Sequence, residues 1–148
     1  AFDDSQAVLP FSQRLARDNH WSSELAQRAI EEYRRFVFLA MVASHSVTPS
    51  DQVDQVWHLH LLYTQNYWED FCRLLPRPLH HGPTRGGSFE DSKYEDWYSC
   101  TRASYYHFFG EHPPADLWPA AVVRFGRDTR WIRINRKDYW LIPKPRWL

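Results

Sequence analysis

The chain lacks most of the features that announce a function. Its 148 residues hold 18 Lys and Arg against 18 Asp and Glu, a formal charge of zero. That argues against a nucleic-acid binder relying on phosphate neutralisation. The two cysteines, Cys72 and Cys100, form no motif. They read as free thiols in helices, with a disulfide open only to an oxidising compartment. The longest apolar run, Phe36 to Ala43, is about half the length a membrane span needs. No serine or cysteine sits in a nucleophile elbow. No glycine-rich loop carries the Lys-Ser/Thr pair of a nucleotide site. There is no internal repeat and no low-complexity segment. The start at Ala1 does not resemble a signal peptide, so a soluble cytoplasmic chain is expected, as a piece of a longer protein.

What is present is apolar and aromatic. Apolar residues make up 43% and aromatics 17%, with eight Trp, enough for one large-ringed core. The length suits a single domain over residues 1–148. Pro10 to Arg17 reads as a short first helix. Ser22 caps a second, whose face runs through Leu25, Ala29, Tyr33, Phe36, Val37 and Ala40. Its second half is apolar nearly all round, so it should be the most buried helix. Thr48-Pro49-Ser50-Asp51 starts a third helix, with Thr48 as cap and Pro49 in first position. Its stripe of Val53, Trp57, His60, Thr64, Tyr67, Phe71 and Leu75 predicts one helix to about Leu75, stopped by Pro76 and Pro78. A loop to Gly87 leads to a helix from Ser88 through Phe109, capped by Gly110.

Beyond Pro113-Pro114 the pattern turns β-like. Residues 121–125, 129–134 and 139–142 read as three strands. The expected class is therefore mainly α with an α+β character. It comprises three to four helices over about residues 10–110 and a small C-terminal antiparallel sheet over about 120–143.

Four of the eight histidines lie in two short runs, Trp57-His58-Leu59-His60 and His80-His81. Histidine is the commonest metal ligand and the usual proton carrier near neutral pH. His58 and His60 stand about 200° apart on a helix, so they cannot share an ion unless the helix is distorted there. His60 faces the core. His58 lies one turn beyond Asp54, whose carboxylate can hold its ring. On a straight helix His60 lies roughly 22 Å from Leu75, and five further residues span at most about 17 Å. That geometry keeps His80 and His81 away from His58 and predicts a loop-anchoring role for them at the helix C-terminus. Thr84-Arg85-Gly86-Gly87 reads as a loop that could cradle an anion.

Asp54-x-x-Trp57-His58-x-His60, Tyr63-Thr64-x-x-Tyr67, Phe71-Cys72 and His80-His81-x-Pro83 resemble the glycine-rich domain-containing proteins of plants and their bacterial relatives. Phe109-Gly110-Glu111-x-Pro113-Pro114-Ala115-Asp116-x-Trp118-Pro119 resembles the bacterial branch. With five glycines, the chain has no counterpart of the glycine-rich part. The resemblance implies a fold and a site location rather than a reaction. Two functions are expected on these grounds. The first is a helical binding or interaction module for an unknown protein or small-molecule partner, with Asp54, Trp57, Tyr63, Tyr67 and Thr84 as candidate binding residues. The second is a metal-binding protein or metal-dependent enzyme holding zinc, copper or iron through His58, His60, His80 and His81.

Overall fold

The computed structural model describes residues 2–3, 7–82 and 88–125, of which 88–92 as backbone only. Five α-helices follow one another: α1 (Phe11–Asn19), α2 (Ser23–Val42), α3 (Asp51–Leu62), α4 (Ser88–Phe109) and α5 (Ala121–Arg124). Between α3 and α4 lie a π-helical turn, Asn66–Phe71, and a 3₁₀ turn, Cys72–Leu74. α1 and α3 pack on α2 from one side, α4 on α2 from another, and α5 on α4.

Local chemistry explains most helix ends. Ser22 accepts a hydrogen bond from the Leu25 amide at 3.1 Å and caps α2. Gly110 ends α4 at φ 71°, a conformation that costs glycine little. α1 ends on His20 in the same left-handed region, φ 55°. The amide of Trp21 there returns to the Ala16 carbonyl at 2.8 Å.

The core is built from α2 and α3. Leu15, Ala26, Ala29, Tyr33, Leu39, Val53 and Val56 are fully enclosed. Trp57 is 6% exposed, lies 5.4 Å from the Phe36 ring and donates its indole N–H to the Tyr67 hydroxyl at 2.9 Å. A second polar knot holds the other side of α2. There Glu32, buried, accepts from Trp118 Nε1 at 2.8 Å and from the Tyr105 hydroxyl at 3.1 Å. Burial raises the Glu32 carboxyl, and those two donors oppose the rise. Both cysteines are unpaired, Cys72 buried and Cys100 exposed.

Three expectations are corrected. The cap of α3 is Ser50, which accepts from the Val53 amide at 3.2 Å. Thr48 is instead drawn under α4, its amide donating to Thr101 Oγ1 at 2.9 Å. α2 buries nine residues, more than any other helix among the described residues, as its apolar second half implies, although Phe38, beside Phe108 of α4, and Val42 reach solvent. The third helix does not run to Leu75. It stops at Leu62, Tyr63 takes φ −88° and ψ 60°, and the chain re-enters through the π-helical turn.

The last correction concerns the sheet. The described residues are helical and contain no strand. Residues 121–125, read as the first strand, form α5 and its end, with the Val123, Arg124 and Phe125 amides bonded back to Ala120 and Ala121. Val122 is 74% exposed, so its β-branched side chain has no sheet face to fill and strand propensity yields to the local turn. The strands expected over 129–134 and 139–142 lie outside the described residues.

Trp57→Ala is expected to cost about 3–5 kcal/mol, as truncation of a buried ring does. Thermal melting checks this. A change near zero would mean that the indole does not anchor α3.

Candidate metal centre

The break at Tyr63 brings the two histidine runs together. The loop after the 3₁₀ turn comes back along α3. Tyr67, fully buried, donates its hydroxyl proton to the Leu79 carbonyl at 2.5 Å while accepting from Trp57. Its phenol is pushed up to about 12 by burial, so it remains a neutral donor. Two residues beyond Leu79, the His81 ring packs 4.4 Å from Trp57 and 4.6 Å from His58.

Asp54 reaches both rings. His81 Nε2 is 2.9 Å from Asp54 Oδ1, and His58 Nδ1 is 3.6 Å from Oδ2. All three ligand atoms lie within 4.8 Å of one another. Asp54 and His81 are about a quarter exposed and His58 half exposed. The centre is therefore reachable from solvent. Two neutral imidazoles and a carboxylate are a donor set for borderline divalent metals such as zinc or iron. Three protein ligands leave at least one position open.

The distance estimate that kept His80 and His81 from His58 assumed a straight helix, and the structure overturns it for His81. His80 points elsewhere, 5.4 Å from the Trp68 ring and exposed. His60 is 1% exposed and belongs to a separate network. Asn66 donates its amide N–H to Asp70 at 3.1 Å, which turns its carbonyl oxygen to His60 Nε2 at 3.0 Å. Nε2 therefore carries the proton, and Nδ1 accepts from the Tyr33 hydroxyl at 3.1 Å. Phe2, Phe11, Tyr67 and Phe71 complete its aromatic surround. Tyr63 lies against Phe11 and Arg14, away from the centre. Thr84 lies outside the described residues.

Asp54, Trp57 and His81 line an open cleft of about 1040 Å³ between the end of α2, the start of α3, the returning loop and α4. Its other walls include Thr48, Arg77, Tyr94, Trp97 and Phe125. None of these is among the candidate binding residues read from the sequence. The fold brings them together from four segments, and the sequence spacing carries no trace of that.

A small helical bundle with a two-histidine, one-carboxylate cluster at a cleft is thus the class that fold and site define. The sequence profile of the UCP032817-like family matches residues 9–100, which carry α1 to α3, the histidine loop and the first half of α4. The chain belongs to that family. It is similar to Glycine-rich domain-containing protein 1 of Arabidopsis thaliana, 25% identical over 123 residues, 80% of this chain and 14% of that protein. Glycine-rich domain-containing protein 2 of the same plant is 24% identical over 126 residues, 82% of this chain and 16% of that protein. The chain thus spans about one-seventh of these relatives' length. No solved structure matches it. No helix among the described residues is long and apolar enough to cross a membrane.

Burial lowers the His60 pKa from its usual value, against the opposing pull of Asn66. The folded ring stays neutral where the unfolded ring would protonate. His60 therefore contributes full stability above about pH 6.5, and this is lost as pH falls from there toward the folded pKa. Wild type should lose stability between about pH 7.5 and 5.5 faster than His60→Gln, by at most about 1.4 kcal/mol per pH unit. Denaturant melts at several pH values test this, and parallel lines for the two proteins would contradict it.

Proposed function

We propose that this chain is a transition-metal-binding domain in which Asp54, His58 and His81 hold a divalent ion, zinc or iron, at the edge of the cleft. The observation that carries the reading is the convergence of three ligand atoms within 4.8 Å from α3 and from a loop 27 residues away. A helix-surface ion pair would need only Asp54 and His58. The return of His81 to the same carboxylate, with its ring wedged between Trp57 and His58, is more than that pair requires.

Tyr67 supports the centre without belonging to it. Its hydroxyl ties the backbone of the loop to the indole beside His58. Groups that orient ligands in this way typically change metal affinity by about 10–100-fold when removed.

The test uses the chain purified without a histidine tag. Elemental analysis after incubation with zinc or ferrous iron, then removal of excess, should find one ion per chain. Asp54→Asn, His58→Ala and His81→Ala should each lose it, whereas His60→Ala and His80→Ala should keep it. Chelator should lower the melting temperature of the loaded protein, since an ion bound only by the folded state stabilises it by mass action. Tyr67→Phe should stay folded and bind the ion roughly ten-fold more weakly. Absence of uptake, or equal uptake by the Asp54, His58 and His81 variants, would remove the reading.

A further inference from the structure

Deepening that reading, on which it rests, we infer that the cleft binds an organic carboxylate with a flat aromatic body, its carboxylate taking the open position of the Asp54–His58–His81 metal. Four features of the cleft wall lead there.

The first is charge. A divalent ion held by one carboxylate and two neutral imidazoles carries a net charge of about +1. Asp54 is the only acid among the described lining residues, and it is spent on the ion. Arg77 adds a cation to the same wall. One of its guanidinium nitrogens donates to the Ala40 carbonyl at 2.7 Å, which fixes the group in place, and it forms no ion pair among the described residues. Arg124 also lines the cleft but is engaged by Asp51 and by the Pro49 carbonyl. The wall therefore favours an anion, and a rigid guanidinium suits a planar carboxylate.

The second is an unused hydroxyl. Thr48 lines the cleft and is 5% exposed, and among the described residues its Oγ1 has no hydrogen-bond partner. Leaving a buried hydroxyl unpaired costs about 1–3 kcal/mol, so a turn of the Thr48 side chain that brings its hydroxyl to an acceptor in the cleft is favoured. His45, in the same wall, offers nothing comparable. Its Nδ1 donates to the Ser46 carbonyl at 2.9 Å, and its Nε2 accepts from the Ser104 hydroxyl at 2.7 Å.

The third is aromatic area. Tyr94 and Trp97 stand edge to face, 5.5 Å apart, on the α4 wall, and Trp57 of α3, 6% exposed, lines the same cleft. Flat rings on two walls match a flat apolar body. The fourth is size: about 1040 Å³ of open cleft admits a ring-bearing acid and not only a small inorganic anion.

Benzoate is the probe, titrated calorimetrically into the 148-residue chain loaded with one equivalent of zinc and into chelator-treated chain. Acetate, inorganic phosphate and benzamide are the comparison ligands. Benzoate should bind the zinc form and bind the metal-free form at least ten-fold more weakly. Acetate should bind more weakly than benzoate, and benzamide should not bind measurably. Arg77→Met should retain zinc and weaken benzoate by roughly ten-fold, the worth of one charge-assisted hydrogen bond. Should Arg77→Met prove unstable, Thr48→Val with retained zinc should weaken benzoate by a smaller factor. Zinc uptake with benzoate affinity indifferent to metal, or to both substitutions, overturns the inference and leaves the metal centre standing. Phosphate binding as tightly as benzoate overturns the aromatic part of it. Failure to take up zinc overturns the metal reading itself, and the inference with it.

Discussion

The Tyr67 hydroxyl sets the geometry of the corner that holds Asp54, His58 and His81. It sits in the core with the Trp57 indole on one side and the Leu79 carbonyl on the other. Each of those groups would cost about 1–3 kcal/mol if buried without a partner. The only arrangement that satisfies all three has the indole donating, the hydroxyl accepting and donating, and the carbonyl accepting. The depth of the loop is therefore fixed by hydrogen-bond geometry rather than by apolar contact, which would tolerate sliding. Trp57 precedes His58 in sequence and Leu79 stands two before His81, so the tether positions two of the three cluster residues at once.

That tether requires the helix break, and the break has its own support. From Leu62 the chain turns at Tyr63 and winds as a π-helical turn, whose wider hydrogen-bond pattern accommodates an extra residue. Asn66, first residue of that turn, reaches back to His60, and Tyr33 on α2 closes the network from the other side. The buried histidine thus joins α2, α3 and the π-helical turn at one point. The Glu32 knot does the same for α2, α4 and the segment carrying Trp118. Between them the two polar networks set the relative positions of α2, α3 and α4, which are three of the four walls of the cleft.

Sequence reading succeeds here where the determining physics is local. The Ser22 cap, the Gly110 stop and the burial of His60 follow from periodicity and capping chemistry within a turn or two. The opposition of His58 and His60 follows from helix geometry alone. The break at Tyr63 is not legible in that way. No Gly or Pro marks it, and the apolar stripe continues through Tyr67 and Phe71 because the π-helical turn returns those rings to the core. The polar run Thr64-Gln65-Asn66 is the one local hint, two of its residues being modest helix formers. The determining partner of Asn66 is His60, and the sequence names no such pair. Once the break is missed, the distance from His58 to His81 is misjudged, and with it the meeting of the two histidine runs. The β-like reading of 121–125 fails for a related reason: propensity describes a side chain that fits a sheet, and among the described residues no strand stands beside these.

The proposed centre is asymmetric. His58 lies on the half-exposed face of α3 and does not line the cleft, whereas Asp54 and His81 do. An ion held by these three residues would meet solvent on the side of His58 and the cleft on the side of Asp54 and His81. Asp54 accepts from His81 at 2.9 Å and lies 3.6 Å from His58, so the three donors stand close to the spacing that coordination requires. Little side-chain entropy remains to be lost on binding, and the loop bearing His81 is already held by Tyr67. What coordination replaces is a pair of partly hydrated contacts to one carboxylate, each worth little at a solvent-accessible site. Preorganisation of this kind places the cost of assembling the site in the folding of the chain, where the Trp57 and Tyr67 bonds meet it, and leaves most of the coordination energy available for affinity.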